Sequence, residues 1–119
     1  MTHRTFAADS PVDRRDDALI ALVEEGLTAS EISELRVDDV RLFEHSATVR
    51  LVSASGERFV RVTDENNFRD LRCYIERDMP LRRTAPLFPG RSPLRGMSVR
   101  RLYQLLAELR EPKAGKERA

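Results

Sequence analysis

The sequence predicts an α+β fold, mainly helical, with a small antiparallel sheet made of one hairpin and a third strand. Three observations carry this. Helix start signals precede apolar residues at helical spacing near both ends of the chain, at Ser10-Pro11-Val12-Asp13 and at Met97-Ser98. Between them, Ala47–Ser53 alternates in polarity, meets the turn signal Ser53-Ala54-Ser55-Gly56-Glu57, and is answered by Arg58–Val62. The stretch Gly26 to Leu35 holds the end of one helix and the start of the next, so the chain must turn sharply there.

The first helix begins at Ser10, with proline at its first position and an acid in its first turn, and runs to about Glu25. Val12, Leu19, Ile20, Leu22 and Val23 are its expected core face, with Ala18 and Ala21 filling gaps. Arg14, Arg15, Asp16 and Asp17 read as a solvated, mixed-charge face. Gly26 suits the left-handed position just past a helix end. Thr28 and Glu31 have capping-box spacing, and Ile32 and Leu35 give the short helix that follows one apolar face. Leu35 to Val40 leads into β structure, and Val40 to Ser46 reads as a short strand and turn. In the hairpin, Thr48, Arg50 and Val52 share one face and Val49 and Leu51 the other.

Thr63 to Asn67 opens a further helix, whose stripe is Phe68, Leu71, Tyr74 and Ile75 and which ends near Asp78. Pro80 to Gly96 reads as an extended loop, docked by an apolar plug, Pro86-Leu87-Phe88-Pro89-Gly90. Ser98 caps the last helix, Val99, Leu102, Leu105, Leu106 and Leu109 form its stripe, and Pro112 is its expected end. Residues 1–9 read as a flexible arm, 10–110 as a single domain and 111–119 as a flexible tail.

Composition limits the function classes. The chain has 119 residues and a formal net charge of +1, which does not mark a nucleic-acid binder by itself. Its 21 basic residues include only two lysines, Lys113 and Lys116. Arginine suits phosphates and base edges because its planar fork donates two parallel bonds; a GC-rich coding bias explains the same preference. The single cysteine, Cys73, has no partner for an internal disulfide. With no zinc spacing and no signal peptide, the chain reads as cytoplasmic. No apolar run is long enough to span a bilayer. His3 and His45 are isolated surface histidines, and Asp38-Asp39 is a turn and cap feature rather than a magnesium site. Cys73, Tyr74 and Tyr103 read as packing residues. No metal or other cofactor is expected.

The order of elements, together with several local motifs, resembles the N-terminal half of the catalytic domain of tyrosine recombinases, the phage-integrase family. Asp16 to Leu22 followed by Glu25-Gly26-Leu27-Thr28-Ala29-Ser30-Glu31-Ile32-Ser33-Glu34-Leu35 is similar to that family's first box. Asp38-Asp39-Val40 resembles its acid-rich entry to the sheet, and Gly56 to Val62 the second arm of its catalytic hairpin. Leu87-Phe88 and the helix opening at Met97-Ser98 resemble the segment before its second box. The likeness spans roughly residues 10 to 109.

The resemblance implies the fold and argues against the reaction. Thr28 stands where the family has the arginine that clamps the scissile phosphate, a role that needs a fixed cation. Ser53 lies, give or take a residue, where the family has a lysine that protonates the leaving hydroxyl. The family's later histidine, arginine and nucleophilic tyrosine are expected after the last helix, and neither Tyr74 nor Tyr103 occupies the nucleophile's place. The resemblance therefore implies a truncated, degenerate and non-catalytic module. Its expected partner is double-stranded DNA, with Arg36, Arg50, Arg58 and Arg61 making phosphate contacts. Two other readings stay open: an interaction module that pairs with a recombinase or with itself, and an inert gene fragment. A helix-turn-helix starting at Gly26 is a weaker rival, because its recognition helix would present Asp38 and Asp39 to DNA.

Overall fold

The computed structural model describes residues 10–79, 84–90 and 95–118, with side chains through Leu109. The expected N-terminal arm and His3 lie outside the described residues, as do parts of the loop after Met79. Helix α1 spans Pro11–Glu24, α2 Ala29–Ser33, α3 Glu65–Asp78 and α4 Val99–Arg118. A single 3-10 turn, Val37–Asp39, precedes a three-stranded sheet of β1 (Val40–Leu42), β2 (Ala47–Ser53) and β3 (Gly56–Val62). The strands lie side by side in the order β1-β2-β3, all antiparallel. The α+β expectation holds, third strand included.

Local chemistry sets the element boundaries. Ser10 Oγ accepts from the Asp13 amide at 3.1 Å and opens α1. At its other end Gly26 sits at φ +97. The Gly26 amide donates to Val23 (3.0 Å) and the Leu27 amide to Leu22 (3.1 Å), the paired bonds of a Schellman cap. Two residues later the capping box forms as the spacing predicts. Glu31 N donates to Thr28 Oγ1 at 3.2 Å, and Thr28 N donates to Glu31 Oε1 at 2.9 Å. The segment after Leu35 makes a 3-10 turn and a strand, so no recognition helix follows α2 and the helix-turn-helix rival fails.

Helices α1 and α3 pack against each other and are tied at both ends. Arg14 grips Asp78 with two bonds, Nε to Oδ2 at 2.7 Å and Nη2 to Oδ1 at 2.9 Å. At the opposite end Asn67 Nδ2 donates to Glu25 Oε2 at 2.8 Å. Two expectations for α1 fail. Arg14 and Asp17 are buried instead of solvated, because the face they occupy is the one α3 covers. Val12 is 54% exposed instead of in the core, because it lies in the first turn, off the stripe of Ala18, Ala21 and Leu22.

The core joins one face of the sheet to all four helices. Leu19, Leu22, Ile32, Val49, Val62, Leu71, Leu87, Phe88 and Leu102 are fully buried in it. The apolar plug docks as expected. Phe88 stacks on Tyr74 with ring centroids 5.2 Å apart, and the Tyr74 hydroxyl donates to the Leu87 carbonyl at 2.6 Å. Leu35 and Val37 hold the plug's backbone through Leu87 N to Leu35 O and Val37 N to Ala85 O, both 2.9 Å. Ser98 caps α4 as the sequence indicates, its Oγ accepting from the Arg101 amide at 3.1 Å. Pro112 does not end that helix, which continues to Arg118. A helical proline lacks its own amide, so the Glu108 carbonyl loses its bond.

Candidate nucleic-acid interface

The register of the sheet separates the hairpin arginines. Thr48 pairs with Arg61, Arg50 with Phe59 and Leu51 with Arg58. Residues paired across strands share a face, so Arg61 and Arg50 lie on the outer face and Arg58 on the inner one. Arg41 pairs with Thr48 from the other side, which places Arg41, Thr48 and Arg61 in one outer row.

Three of the four expected DNA-contacting arginines already have partners in the chain. The Arg50 guanidinium donates to Asp39 Oδ1 (2.8 Å from Nη2) and to Glu57 Oε2 (3.2 Å). The bond to Asp39, more than any other cause, raises its pKa above the usual arginine value. Arg58 Nη2 donates to Glu31 Oε2 at 2.7 Å. Glu31 is held below its ordinary carboxyl pKa, first by the Thr28 amide and also by the Arg58 charge, against an opposing push from burial. Arg36 Nη1 donates to the Thr84 carbonyl at 2.6 Å, and its amide donates to Asp39 Oδ2. Asp39 thus holds the 3-10 turn and Arg50 together. Of the four, only Arg61 is exposed with neither a salt bridge nor a side-chain hydrogen bond among the described residues.

Thr28, Ser53 and Arg50 flank or line the region where α2 meets the hairpin. A cleft of about 400 Å³ opens there, lined by Glu31, Glu34, Asp39, Arg50 and Ser53. Three carboxylates face one guanidinium on its wall, a poor field for a phosphate. The Thr28 hydroxyl is occupied as a helix cap, and Ser53 Oγ lies 3.0 Å from Ser55 Oγ within the turn. No cluster of three or more metal-ligating side chains exists among the described residues.

A second concavity has the opposite character. It is about 810 Å³ in volume and lies at the N-terminus of α4. Arg15, Arg95, Arg100 and Arg101 line it with Ser98 and Gln104, and no carboxylate is among its described lining residues. Arg15 bonds its neighbour Asp16 at 2.8 Å, whereas Arg95, Arg100 and Arg101 make no salt bridge among the described residues. Backbone pairing fixes the floor. Gly90 N donates to Arg95 O at 2.9 Å, Met97 N to Phe88 O at 2.8 Å, and Ser33 Oγ to Met97 O at 2.8 Å. Gly96 fits because a Cβ there would collide with the Ser33 carbonyl.

None of these four arginines is among the phosphate contacts expected from the sequence. A signal for two of them was present. Arg100 and Arg101 follow the Ser98 cap, and the first turn of α4 holds no acid. Cations at a helix N-terminus oppose the helix dipole, so such a pair breaks a local rule with no local compensation. Arg15 and Arg95 join them only through packing. No family model, curated protein or solved structure matches this chain.

Proposed function

We propose that the chain is a non-catalytic, integrase-like module that binds double-stranded DNA through the phosphate backbone. The observation that carries this reading is the basic concavity at the start of α4, where four arginines converge and no carboxylate is among the described lining residues. The amides of the first helical turn add positive potential to those charges. Arginines held together against mutual repulsion are stabilised by an anion, and the fork of each matches two phosphate oxygens. Arg41 and Arg61 are further exposed cations, on the outer face of the sheet. Arg36, Arg50 and Arg58 take a secondary part, because their own chain already supplies their hydrogen-bond acceptors.

The non-catalytic half of the proposal rests on the same chemistry. Thr28 and Ser53 carry no charge where the resemblance calls for cations. Tyr74 is buried, donates to Leu87, and has its phenol pKa pushed up by burial and by the nearby Asp78 charge. That is the reverse of an activated nucleophile. A fluorescence-anisotropy titration of a labelled duplex at two salt concentrations tests the reading. Binding that weakens steeply with salt supports it, and absence of binding at low salt refutes it.

A further inference from the structure

Strand β3 is an edge of the sheet along its whole length. Its outer face carries Glu57, Phe59 and Arg61, and Phe59 is 60% exposed. Two opposite charges therefore stand two residues either side of an exposed aromatic ring.

The hairpin fixes which peptide groups are available. Its two-residue turn, Ala54-Ser55, closes on the Ser53–Gly56 pair. In an antiparallel ladder, bonded and non-bonded pairs alternate. Gly56, Arg58, Val60 and Val62 thus turn their N–H and C=O groups toward β2. Glu57, Phe59 and Arg61 turn theirs outward, where no further strand lies among the described residues.

We infer that β3 pairs antiparallel with β3 of a second copy, about a two-fold axis through Phe59, so that two sheets join into one of six strands. In that register Phe59 faces Phe59 of the second copy, Glu57 faces its Arg61, and Arg61 faces its Glu57. All three positions present outward peptide groups, so each pair exchanges two main-chain bonds. The charges set the register. A shift by two residues opposes Phe59 to a charge, and parallel pairing sets Glu57 beside Glu57 and Arg61 beside Arg61. Glu57 Oε2 accepts from Arg50, which leaves Oε1 for the new arginine. Arg58, the inward-facing charge on this edge, is held by Glu31 under its own sheet and does not obstruct the approach. The phenyl contact covers the largest exposed apolar side chain of the sheet.

Sedimentation velocity tests the pairing, with the wild-type chain followed up to about 1 mM, because a small interface associates at the weak end of the range. A reversible dimer is expected. Glu57→Arg alone and Arg61→Glu alone each create like-charge pairs on both sides of the axis, and each should weaken dimerisation about tenfold or more. Mixing the two single variants should restore association as a heterodimer, because every introduced charge then meets its opposite. A wild-type chain that stays monomeric overturns the inference. So do single variants that dimerise like wild type, or a mixture that fails to associate.

Discussion

Replacing Arg100 and Arg101 together by alanine is expected to cut the salt dependence of DNA binding to about a third. The concavity presents four arginines, of which Arg15 is already paired with Asp16. If each of the other three neutralises one phosphate, log K against log salt has a slope of about −2.7 for the wild-type chain and about −0.9 for the double variant. Between about 50 and 200 mM salt, affinity then falls about 40-fold for wild type and only about 3.5-fold for the variant. At about 100 mM the variant binds about 60-fold more weakly, a difference of about 2.4 kcal/mol. Anisotropy titrations on two unrelated duplexes measure both quantities, and the loss should be the same on each because phosphates carry no sequence. Both side chains are exposed, so the fold should survive, and far-UV circular dichroism checks that it does. Arg58→Ala is the control. Its guanidinium lies outside the concavity and is paired with Glu31, so any change in slope should be much smaller. An unchanged slope in the Arg100/Arg101 variant, or an equal loss from Arg58→Ala, would remove the concavity from the binding surface.

Four further outcomes follow from the geometry. Asp78→Ala removes the two bonds that Asp78 accepts from Arg14 and should destabilise the chain by about 2–3 kcal/mol in urea unfolding, below the full cost of breaking a buried pair because Asp78 is 14% exposed. Gly96→Ala drives a Cβ into the Ser33 carbonyl and should cost about 1–3 kcal/mol; a stability equal to wild type would show that the loop relaxes freely. Glu31 has a lowered folded pKa, so its contribution is present above its ordinary value of 4.5 and is lost as pH falls through the folded value. Glu31→Gln should flatten that acid-side decline in a pH series of unfolding midpoints. Thr28→Arg restores the charge the resemblance calls for but removes a helix cap, costing about 1 kcal/mol. It should yield no covalent protein–DNA adduct on a denaturing gel, and an adduct would refute the non-enzyme reading.

Much of the fold was legible because its signals are local. Ser10, Gly26 and the Thr28–Glu31 box each satisfy backbone groups within a few residues, so spacing alone locates them. The hairpin was legible for a similar reason, since its turn lies between two alternating runs and register follows from where it closes. The apolar plug was found from composition, its five residues being apolar or glycine inside an arginine-rich stretch. The end of α4 was not, because a proline's effect on a helix depends on whether the freed carbonyl matters, and Pro112 stands as an interruption the helix passes through.

The candidate site was less legible. Four hairpin and corner arginines looked equivalent in the sequence, yet Asp39, Glu57, Glu31 and the Thr84 carbonyl engage three of them. Arg14 looked like surface and is buried against Asp78, 64 residues away. The sequence determined the caps, the turns, the strand alternation and the charges available, because those rest on neighbours along the chain. Tertiary structure decided which arginines are spent on internal carboxylates and which converge at the start of α4. A charge acts through space, and only folding brings Arg15 to within one concavity of Arg100.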